Sequence, residues 1–189
     1  MSFNGYLKTL KVTLDKIDDN QVESIISLIM NAFEKGNFVF VIGNGGSAAN
    51  ASHFAQDLAK GTRLTLNQQK RIKALSLTDN LPFFSALSND DGYEHVFTEQ
   101  LKTYASNEDL LIAISGSGNS PNIIKAVEWA NSNGLVTVGV TGFSGGKLKE
   151  INQYSLHVSL DDMCTTESVH SILFHYIILE IQNKIKELT

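Results

Sequence analysis

The sequence has one cysteine, two prolines and no excess of positive charge among its 189 residues. Because Cys164 stands alone, no intramolecular disulfide can form, which fits a reducing compartment. The formal net charge of −5 argues against electrostatic binding of nucleic acid. No apolar run approaches the roughly 18 residues of a membrane-spanning helix, and no signal peptide is recognisable. We therefore expect a cytoplasmic protein that binds neither nucleic acid nor membranes.

The chain shows no repeat, low-complexity tract or linker, so we expect one domain over residues 1–189. Apolar residues at helical spacing predict a helical N-terminal extension over residues 1–36. Beyond it, apolar strand candidates alternate with helical stretches. The strand candidates are 38–42, 72–77, 110–114, 135–140 and 154–158, and the helical stretches are 47–60, 82–88 with 93–104, 120–133, 146–152 and about 166 to the C-terminus. This alternation predicts a three-layer α/β domain with helices on both faces of a five-stranded parallel sheet.

Two loops rich in serine and glycine each follow a strand candidate and precede a helical stretch. The first is Gly43-Asn44-Gly45-Gly46-Ser47, and the second is Ser115-Gly116-Ser117-Gly118-Asn119-Ser120. A turn of small residues exposes backbone N–H groups at the positive end of the next helix, and serine adds hydroxyl donors. Since parallel sheets bind ligands at the carboxyl ends of their strands, two such loops predict a site for a phosphorylated ligand.

Two other interpretations of these loops stay open. The pattern Gly43-x-Gly45-x-x-Ala48 also satisfies the dinucleotide fingerprint, which requires an acid about 20 residues further on. The acid after the second strand candidate, Asp79, lies about 30 residues past the loop, and the fingerprint leaves the second loop unexplained. The plainer interpretation is that both loops are tight turns in which glycine only supplies backbone freedom.

Histidines and carboxylates form a second group of candidate functional residues. His53 and Asp57 are four residues apart in a helical stretch, so they share one helix face. Imidazole and carboxylate both suit zinc, although such a pair is more often a surface or capping pair. Glu167, His170 and His175 follow in the last helical stretch. We interpret His170 as a helix-packing or interface histidine.

Three segments carry a resemblance to a known family: Gly43 to Lys60, Ala86 to Gln100, and Ile114 to Ala126. They resemble the phosphoheptose isomerases, sugar-isomerase (SIS) domain enzymes that convert sedoheptulose 7-phosphate to a heptose 7-phosphate. The resemblance implies a flavodoxin-like fold with strand order 2-1-3-4-5. It also implies an isomerase that makes D-glycero-D-manno-heptose 7-phosphate for lipopolysaccharide or capsule precursors.

The same resemblance implies a substrate site on the two loops. The residues implied to bind the sugar phosphate are Ser47, Ser115, Ser117 and Ser120. Asn44 is implied to contact the sugar, and Thr78 and Asp79 match a Thr-Asp pair that lines the family's site.

A site for one zinc ion per subunit and for acid–base catalysis is also implied by the resemblance. Its residues are His53, Asp57, Glu167 and His175. Asp57 is expected to be the base and His175 its acid–base partner, while Glu167 is also expected to contact the substrate. Two residues depart from the family, which has glutamate at position 57 and glutamine at position 167. Because a misplacement of about 1 Å can lower a rate on the order of 10²-fold, the shorter Asp57 carboxylate matters.

The spacing of Glu167 and His175 poses a geometric question for that site. Eight residues along a helix correspond to roughly 12 Å, so both side chains reach one ion only if it lies between them. If they cannot, one of the two contacts the ligand instead.

Apolar residues nearly encircle two of the predicted helices, and a helix that is apolar on all sides is usually buried. The residues concerned are Ile25, Ile26, Leu28, Ile29 and Met30 in the first, and Ile172, Leu173, Ile177, Ile178, Leu179 and Ile181 in the last. The family builds its sites at subunit contacts. We therefore expect a homo-oligomer, specifically a tetramer, in which His175 acts across an interface.

Three alternative functions stay open. Some relatives lack the catalytic carboxylate and bind a replication-initiator protein, but this chain retains a carboxylate and both histidines. An isomerase for a different phosphosugar would fit the two substitutions. A sugar-phosphate sensor usually carries a DNA-binding module, for which the acidic residues 1–35 are too short.

Overall fold

Eight α-helices and five β-strands make up the part of the chain that the computed structural model describes, residues 2–68 and 70–188. Met1, Gln69 and Thr189, which the predicted domain includes, lie outside it. The helices are α1 Phe3–Leu14, α2 Asp19–Lys35, α3 Gly46–Gln56, α4 Leu81–Asp90, α5 Thr98–Tyr104, α6 Pro121–Ser132, α7 Gly146–Ile151 and α8 Met163–Glu187. The strands are β1 Phe38–Gly43, β2 Lys73–Ser76, β3 Leu110–Ser115, β4 Val136–Thr141 and β5 Tyr154–His157. A π-helical turn, Asp57–Gly61, continues α3, and a 3-10 turn, Tyr93–His95, precedes α5.

All five strands run parallel in one sheet with the order β2-β1-β3-β4-β5, which confirms the predicted fold class and strand order. The central strands β1, β3 and β4 are almost completely buried, as their continuous apolar runs predict. The register pairs Gly43 with Ile114, so the carboxyl ends of β1 and β3 lie side by side. This places the two serine/glycine loops next to each other.

Helices cover both faces of the sheet and form two apolar layers. On one face α2, α3 and α8 pack against the sheet through residues such as Ile25, Phe54 and Ile177. On the other face α5 and α6 pack through Leu101 and Val127. Since α3 and α8 lie on the same face, the candidate residues of both helices come together beside the sheet's carboxyl edge.

Capping residues set where the helices begin and end. The predicted N-terminal helical extension consists of two helices, because the Asp18 carboxylate accepts a hydrogen bond from the Asn20 backbone N–H at 3.0 Å and starts α2. Gly36, with φ of 74°, ends α2 in the left-handed conformation. Helix α8 begins earlier than predicted, since the Asp162 side chain caps it through the Thr165 N–H at 2.8 Å.

Most of the apolar residues that encircle α2 and α8 are buried within the chain itself. In α2, Ile25, Ile26 and Ile29 lie in the core, whereas α8 leaves Ile172 and Leu179 exposed. The apolar ring of α2 therefore reflects intramolecular packing and does not by itself require a partner. Within the described residues, no helix combines the length and the apolar character needed to cross a membrane.

Candidate functional site

A cavity of about 270 Å³ lies at the carboxyl ends of β1 and β3, where the two serine/glycine loops meet. Its lining comprises Asn44, Gly45, Gly46, Ser47, Ile114, Ser115, Gly116, Ser117, Ser120, Met163 and Glu167. All four serines predicted to bind phosphate therefore face one space, together with Asn44. The last two lining residues come from the first turns of α8, so this helix forms part of the cavity wall.

The first loop makes a turn that only glycine accommodates. Gly45 has φ of 56° and ψ of −122°, a conformation that other residues rarely adopt. A Cβ atom on Gly43 would lie 2.5 Å from the Ser47 carbonyl oxygen, so the strand and the first turn of α3 pack too closely for any side chain. This turn directs the N-terminal end of α3, with its unpaired N–H groups, at the cavity.

The second loop contributes hydroxyl groups as well as backbone. Ser115 is a buried residue, and its hydroxyl accepts a hydrogen bond from the Gly118 N–H at 3.1 Å and lies 3.4 Å from the Ser120 hydroxyl. Ser120 occupies the N-cap position of α6, yet its side chain makes no capping hydrogen bond. Its hydroxyl is thus free of the usual capping role and can donate to an anion in the cavity.

The segment between β4 and α7 supports the second loop from outside the cavity. The Gly142 N–H donates to the Gly116 carbonyl at 2.9 Å, and the Leu148 N–H donates to the Gly118 carbonyl at 2.9 Å. A Cβ atom on Gly118 would lie 1.9 Å from the Gly145 carbonyl oxygen. These contacts hold the loop backbone in place, which is the preorganisation that anion binding requires.

His53, Asp57 and His175 form the second part of the site. His53 Nε2 lies 3.3 Å from Asp57 Oδ2, and the His53 and His175 rings meet edge to face with centroids 5.0 Å apart. One ligand atom from each of the three residues lies within 4.8 Å of the others. A space of about 10 Å³ beside them matches a single water-sized sphere. The structure therefore brings these three predicted metal ligands together.

Asp57 is the first residue of the π-helical turn that ends at Gly61. The turn is closed by the Thr62 N–H, which donates to the Asp57 carbonyl oxygen at 3.1 Å. The Gln182 amide donates to the Gly61 carbonyl at 2.6 Å and ties the turn to α8, the helix that carries His175. Single π-helical turns occur often at functional sites. This one sets the backbone position from which the Asp57 side chain extends.

Glu167 lies apart from the cluster of three, at the other end of the α3–α8 contact. The two helices run side by side, with the Asn50 amide donating to the Glu167 carbonyl at 3.2 Å and Phe54 stacked on Phe174 at 4.4 Å. The Glu167 carboxylate is so close to Gly46 that a Cβ atom there would lie 2.3 Å from Oε2. The structure thus places Glu167 in the loop cavity. The predicted set of four metal ligands is not brought together, because two helical turns separate Glu167 from His175.

Thr78 and Asp79 lie at the end of β2 in a cluster of hydroxyl groups. The Thr78 hydroxyl is 2.9 Å from the Ser52 hydroxyl and 2.6 Å from that of Ser76. The Asp79 carboxylate accepts a hydrogen bond from Ser52, the neighbour of His53 in α3. Neither residue is part of the cavity lining. Their expected contact with the substrate stays a prediction.

The chain is similar to known proteins over most of its length. The SIS domain family matches residues 4–142. The phosphoheptose isomerase of Helicobacter pylori (strain P12) is 35% identical over 173 residues, 92% of this chain and 88% of that protein. The structure of a phosphoheptose isomerase from Neisseria gonorrhoeae superposes with a TM-score of 0.86 at 28% identity, covering 96% of this chain and 95% of that one. The chain belongs to the phosphoheptose isomerase family. A further member, from Francisella tularensis, gives a TM-score of 0.88 at 25% identity over 95% of this chain and 96% of that one.

In this member of the phosphoheptose isomerase family, the structure adds residues to the site that the sequence did not single out. Met163 lines the cavity, and a Cβ atom on Gly116 would lie 2.5 Å from its sulfur atom. Asn122 and Tyr93 hydrogen-bond to the Asn44 side chain. Asn122 and Tyr93 both lie in segments that resemble the family, which is the signal that could have identified them.

His170 is fully buried in the phosphoheptose isomerase fold, which favours the helix-packing interpretation over an interface. Its Nε2 lies 3.2 Å from the Thr141 carbonyl oxygen, and its Nδ1 has no hydrogen-bond partner among the described residues. Burial lowers the pKa of His170 to about 4, although the bond to Thr141 opposes the shift. The imidazole is therefore neutral in the folded protein at neutral pH.

This buried imidazole makes the stability of the protein depend on pH. The unfolded chain binds a proton at His170 below about pH 6.5, whereas the folded protein does so only near pH 4, so stability falls as the pH is lowered through this window. Between pH 7 and pH 4.5 we expect a loss on the order of 2 kcal/mol from this residue alone. Urea unfolding of the wild type and of His170→Gln at both pH values measures it. An equal pH dependence in the two proteins would contradict the assignment.

Proposed function

We propose that this protein is an aldose–ketose isomerase that converts sedoheptulose 7-phosphate to D-glycero-D-manno-heptose 7-phosphate, a precursor of lipopolysaccharide or capsule heptose. The observation that carries the proposal is the convergence of the two serine/glycine loops on one cavity, next to a carboxylate and two histidines on the same pair of helices. The names of the relatives from Helicobacter pylori and Neisseria gonorrhoeae support this reaction.

The two loops fix the phosphate end of the substrate. Serine hydroxyls and the N-terminal N–H groups of α3 and α6 donate to the phosphate oxygens. His53 lies seven residues after Gly46 in α3, roughly 10 Å along the helix axis. A seven-carbon ketose phosphate held by the loops can therefore extend along α3 until C1 and C2 reach the carboxylate and the histidines.

Isomerisation moves one proton between C1 and C2 and a second proton between the two oxygens. We assign Asp57 as the base that takes the proton from carbon, and His175 as the group that transfers the proton between the oxygens. Both side chains lie in the cluster of three, so one proton acceptor and one proton donor face the same small space. Asp57 lies in the π-helical turn that continues α3, and His175 lies in α8.

The donor set of this cluster fits a zinc ion. Two imidazoles and one carboxylate lie close enough for a single ion, and these ligands suit zinc. We propose one zinc ion per subunit, held by His53, Asp57 and His175. When bound, zinc stabilises the negative charge that develops on the sugar oxygens. Glu167 instead reaches the substrate in the loop cavity, where a carboxylate accepts hydrogen bonds from sugar hydroxyl groups.

We also propose that the protein forms a homotetramer in the cytoplasm. Exposed apolar side chains remain on two neighbouring helices: Ile172, Tyr176 and Leu179 on α8, and Phe3, Leu7 and Val12 on α1. Such side chains on adjacent helices are suited to contacts between subunits. We expect light scattering at micromolar concentration to give four times the chain mass, and a monomer mass would contradict the proposal.

The test of the reaction is an assay of purified, metal-analysed protein by NMR against several ketose phosphates. We expect sedoheptulose 7-phosphate to be converted fastest, with fructose 6-phosphate as the comparison. Faster conversion of the shorter sugar would indicate a different phosphosugar isomerase. If no ketose phosphate reacts while a replication-initiator protein binds tightly, the non-catalytic alternative is correct.

Removing the Ser120 hydroxyl should weaken phosphate binding. A hydrogen bond to a charged group contributes about 1.5–3 kcal/mol, so Ser120→Ala should raise the Kd for inorganic phosphate roughly 10-fold or more. Ser120 makes no capping bond, so folding should be unaffected. Ser132→Ala, an exposed serine at the other end of α6, is the matched control and should leave the Kd unchanged. Equal affinities in the two variants, measured by calorimetry, would place the phosphate elsewhere.

A further inference from the structure

The side chains of Asn44 and Asn122 form a reciprocal amide pair that joins the two loops. Asn44 Nδ2 lies 2.9 Å from Asn122 Oδ1, and Asn122 Nδ2 lies 2.9 Å from Asn44 Oδ1. Asn122 sits in the first turn of α6 and is 1% exposed, so it cannot itself meet a ligand. Asn44 is half-buried and lines the cavity.

A backbone donor fixes the orientation of both amides. The Ile123 N–H, which also contacts the Ser120 carbonyl, lies 3.0 Å from Asn122 Oδ1. Since a backbone N–H only donates, this Asn122 atom must be the oxygen, and its Nδ2 then has to face Asn44. The reciprocal pairing in turn orients Asn44, with Nδ2 toward the Asn122 oxygen and Oδ1 toward the Asn122 nitrogen.

Tyr93 uses the remaining acceptor capacity of Asn44. The Tyr93 hydroxyl donates to Asn44 Oδ1 at 2.8 Å. An amide oxygen has two lone pairs, and here Asn122 Nδ2 and the Tyr93 hydroxyl use both. The amide nitrogen has two hydrogens, one of which binds Asn122 Oδ1. A single N–H of Asn44 is left for a ligand.

We infer that Asn44 meets the sugar only as a hydrogen-bond donor, and that Asn122 and Tyr93 are positioning residues that impose this role. The inference rests on the proposed function, in which a sugar phosphate occupies the loop cavity. The sugar oxygen opposite Asn44 then accepts a hydrogen bond, whereas an amide rotated by 180° would present its oxygen and would need a hydroxyl group that donates to it. The pair also couples the sugar contact to the second loop, since Asn122 lies in the first turn of the helix whose N-cap position Ser120 occupies.

The test uses a polyol phosphate that binds but cannot isomerise, D-glucitol 6-phosphate, with inorganic phosphate as the reference ligand. Asn122→Ala releases the Asn44 amide, so we expect a roughly three- to ten-fold rise in the Kd for glucitol 6-phosphate and less than a two-fold change for phosphate. In the Asn44→Ala background, Asn122→Ala should have no further effect on either Kd. Tyr93→Phe, at a residue about half exposed, should act in the same direction with little risk to folding. Asn133→Ala at the exposed end of α6 is the matched control.

Each outcome separates the inference from the proposed function. An undiminished effect of Asn122→Ala in the Asn44→Ala background would show that Asn122 acts independently of Asn44 and overturn the inference. Wild-type protein that binds inorganic phosphate but gains nothing from the polyol chain would also overturn it. The wild type could bind glucitol 6-phosphate and isomerise no ketose, while the variants show the expected coupling between Asn44 and Asn122. That result would uphold the inference and reject the proposed reaction.

Discussion

Replacing Asp57 with asparagine should lower kcat for sedoheptulose 7-phosphate by about 10²–10⁴-fold, the contribution of a positioned general base. Asparagine keeps the shape of the side chain but cannot take a proton from carbon at neutral pH. The residue lies outside the lining of the loop cavity, so the Kd for inorganic phosphate should change little. Steady-state kinetics and calorimetry on the same preparation measure both effects.

Controls for this variant separate loss of the base from loss of fold or metal. Asp15→Asn removes an exposed carboxylate from the end of α1 and should keep full activity. Zinc content has to be measured in parallel, because Asp57 is also a proposed ligand. Asp57→Glu should retain activity, or raise it if reach is the only defect of the shorter side chain. Turnover that survives Asp57→Asn at the wild-type rate would reject Asp57 as the base.

Replacing His53 with alanine should abolish stoichiometric zinc binding. Three residues contribute one ligand atom each, and their ligand atoms all lie within 4.8 Å of one another. Substituting a residue that hydrogen-bonds to a metal-coordinating side chain, without coordinating the metal itself, lowers metal affinity about 10–100-fold. Loss of a coordinating side chain should therefore lower the affinity more than about 100-fold. Elemental analysis of protein purified without chelator, followed by competition with a zinc-binding dye, measures this loss.

The matched control for the zinc measurement is His95→Ala. His95 is a partly exposed histidine that neighbours Glu94 and Lys125 and belongs to neither α3 nor α8. This variant should keep the zinc content of the wild type. The position of Glu167 in the loop cavity leads us to expect that Glu167→Ala also keeps its zinc. Zinc content that falls equally in Glu167→Ala and His53→Ala would restore the set of four ligands expected from the family resemblance.

The sheet and the two loops could be predicted because local sequence determines them. Strands buried on both faces require continuous apolar runs, such as residues 110–114, and the turns after them require glycine. Parallel pairing then brings the ends of β1 and β3 together. The pair of His53 and Asp57 was also predictable, since a spacing of four places two side chains on one helix face.

The contacts between distant segments could not be predicted in the same way. The position of Glu167 depends on how α8 packs along α3, and only the structure shows that it meets Gly46 at one end while His175 meets His53 at the other. The π-helical turn at Asp57 depends on closure by Thr62 and on a hydrogen bond from Gln182. The fixed orientation of the Asn44 amide depends on two partners far away in the chain.

The measurement that bears most directly on the mechanism is the conversion of sedoheptulose 7-phosphate in D₂O, followed by mass spectrometry and NMR of the aldose phosphate. A base at Asp57 exchanges the abstracted proton with solvent, so the product should carry deuterium at C2, and Asp57→Asn should form this product at least about 100-fold more slowly. Absence of any aldose phosphate, or a product that retains the C1 hydrogen of the ketose at C2 throughout the reaction, would contradict the mechanism.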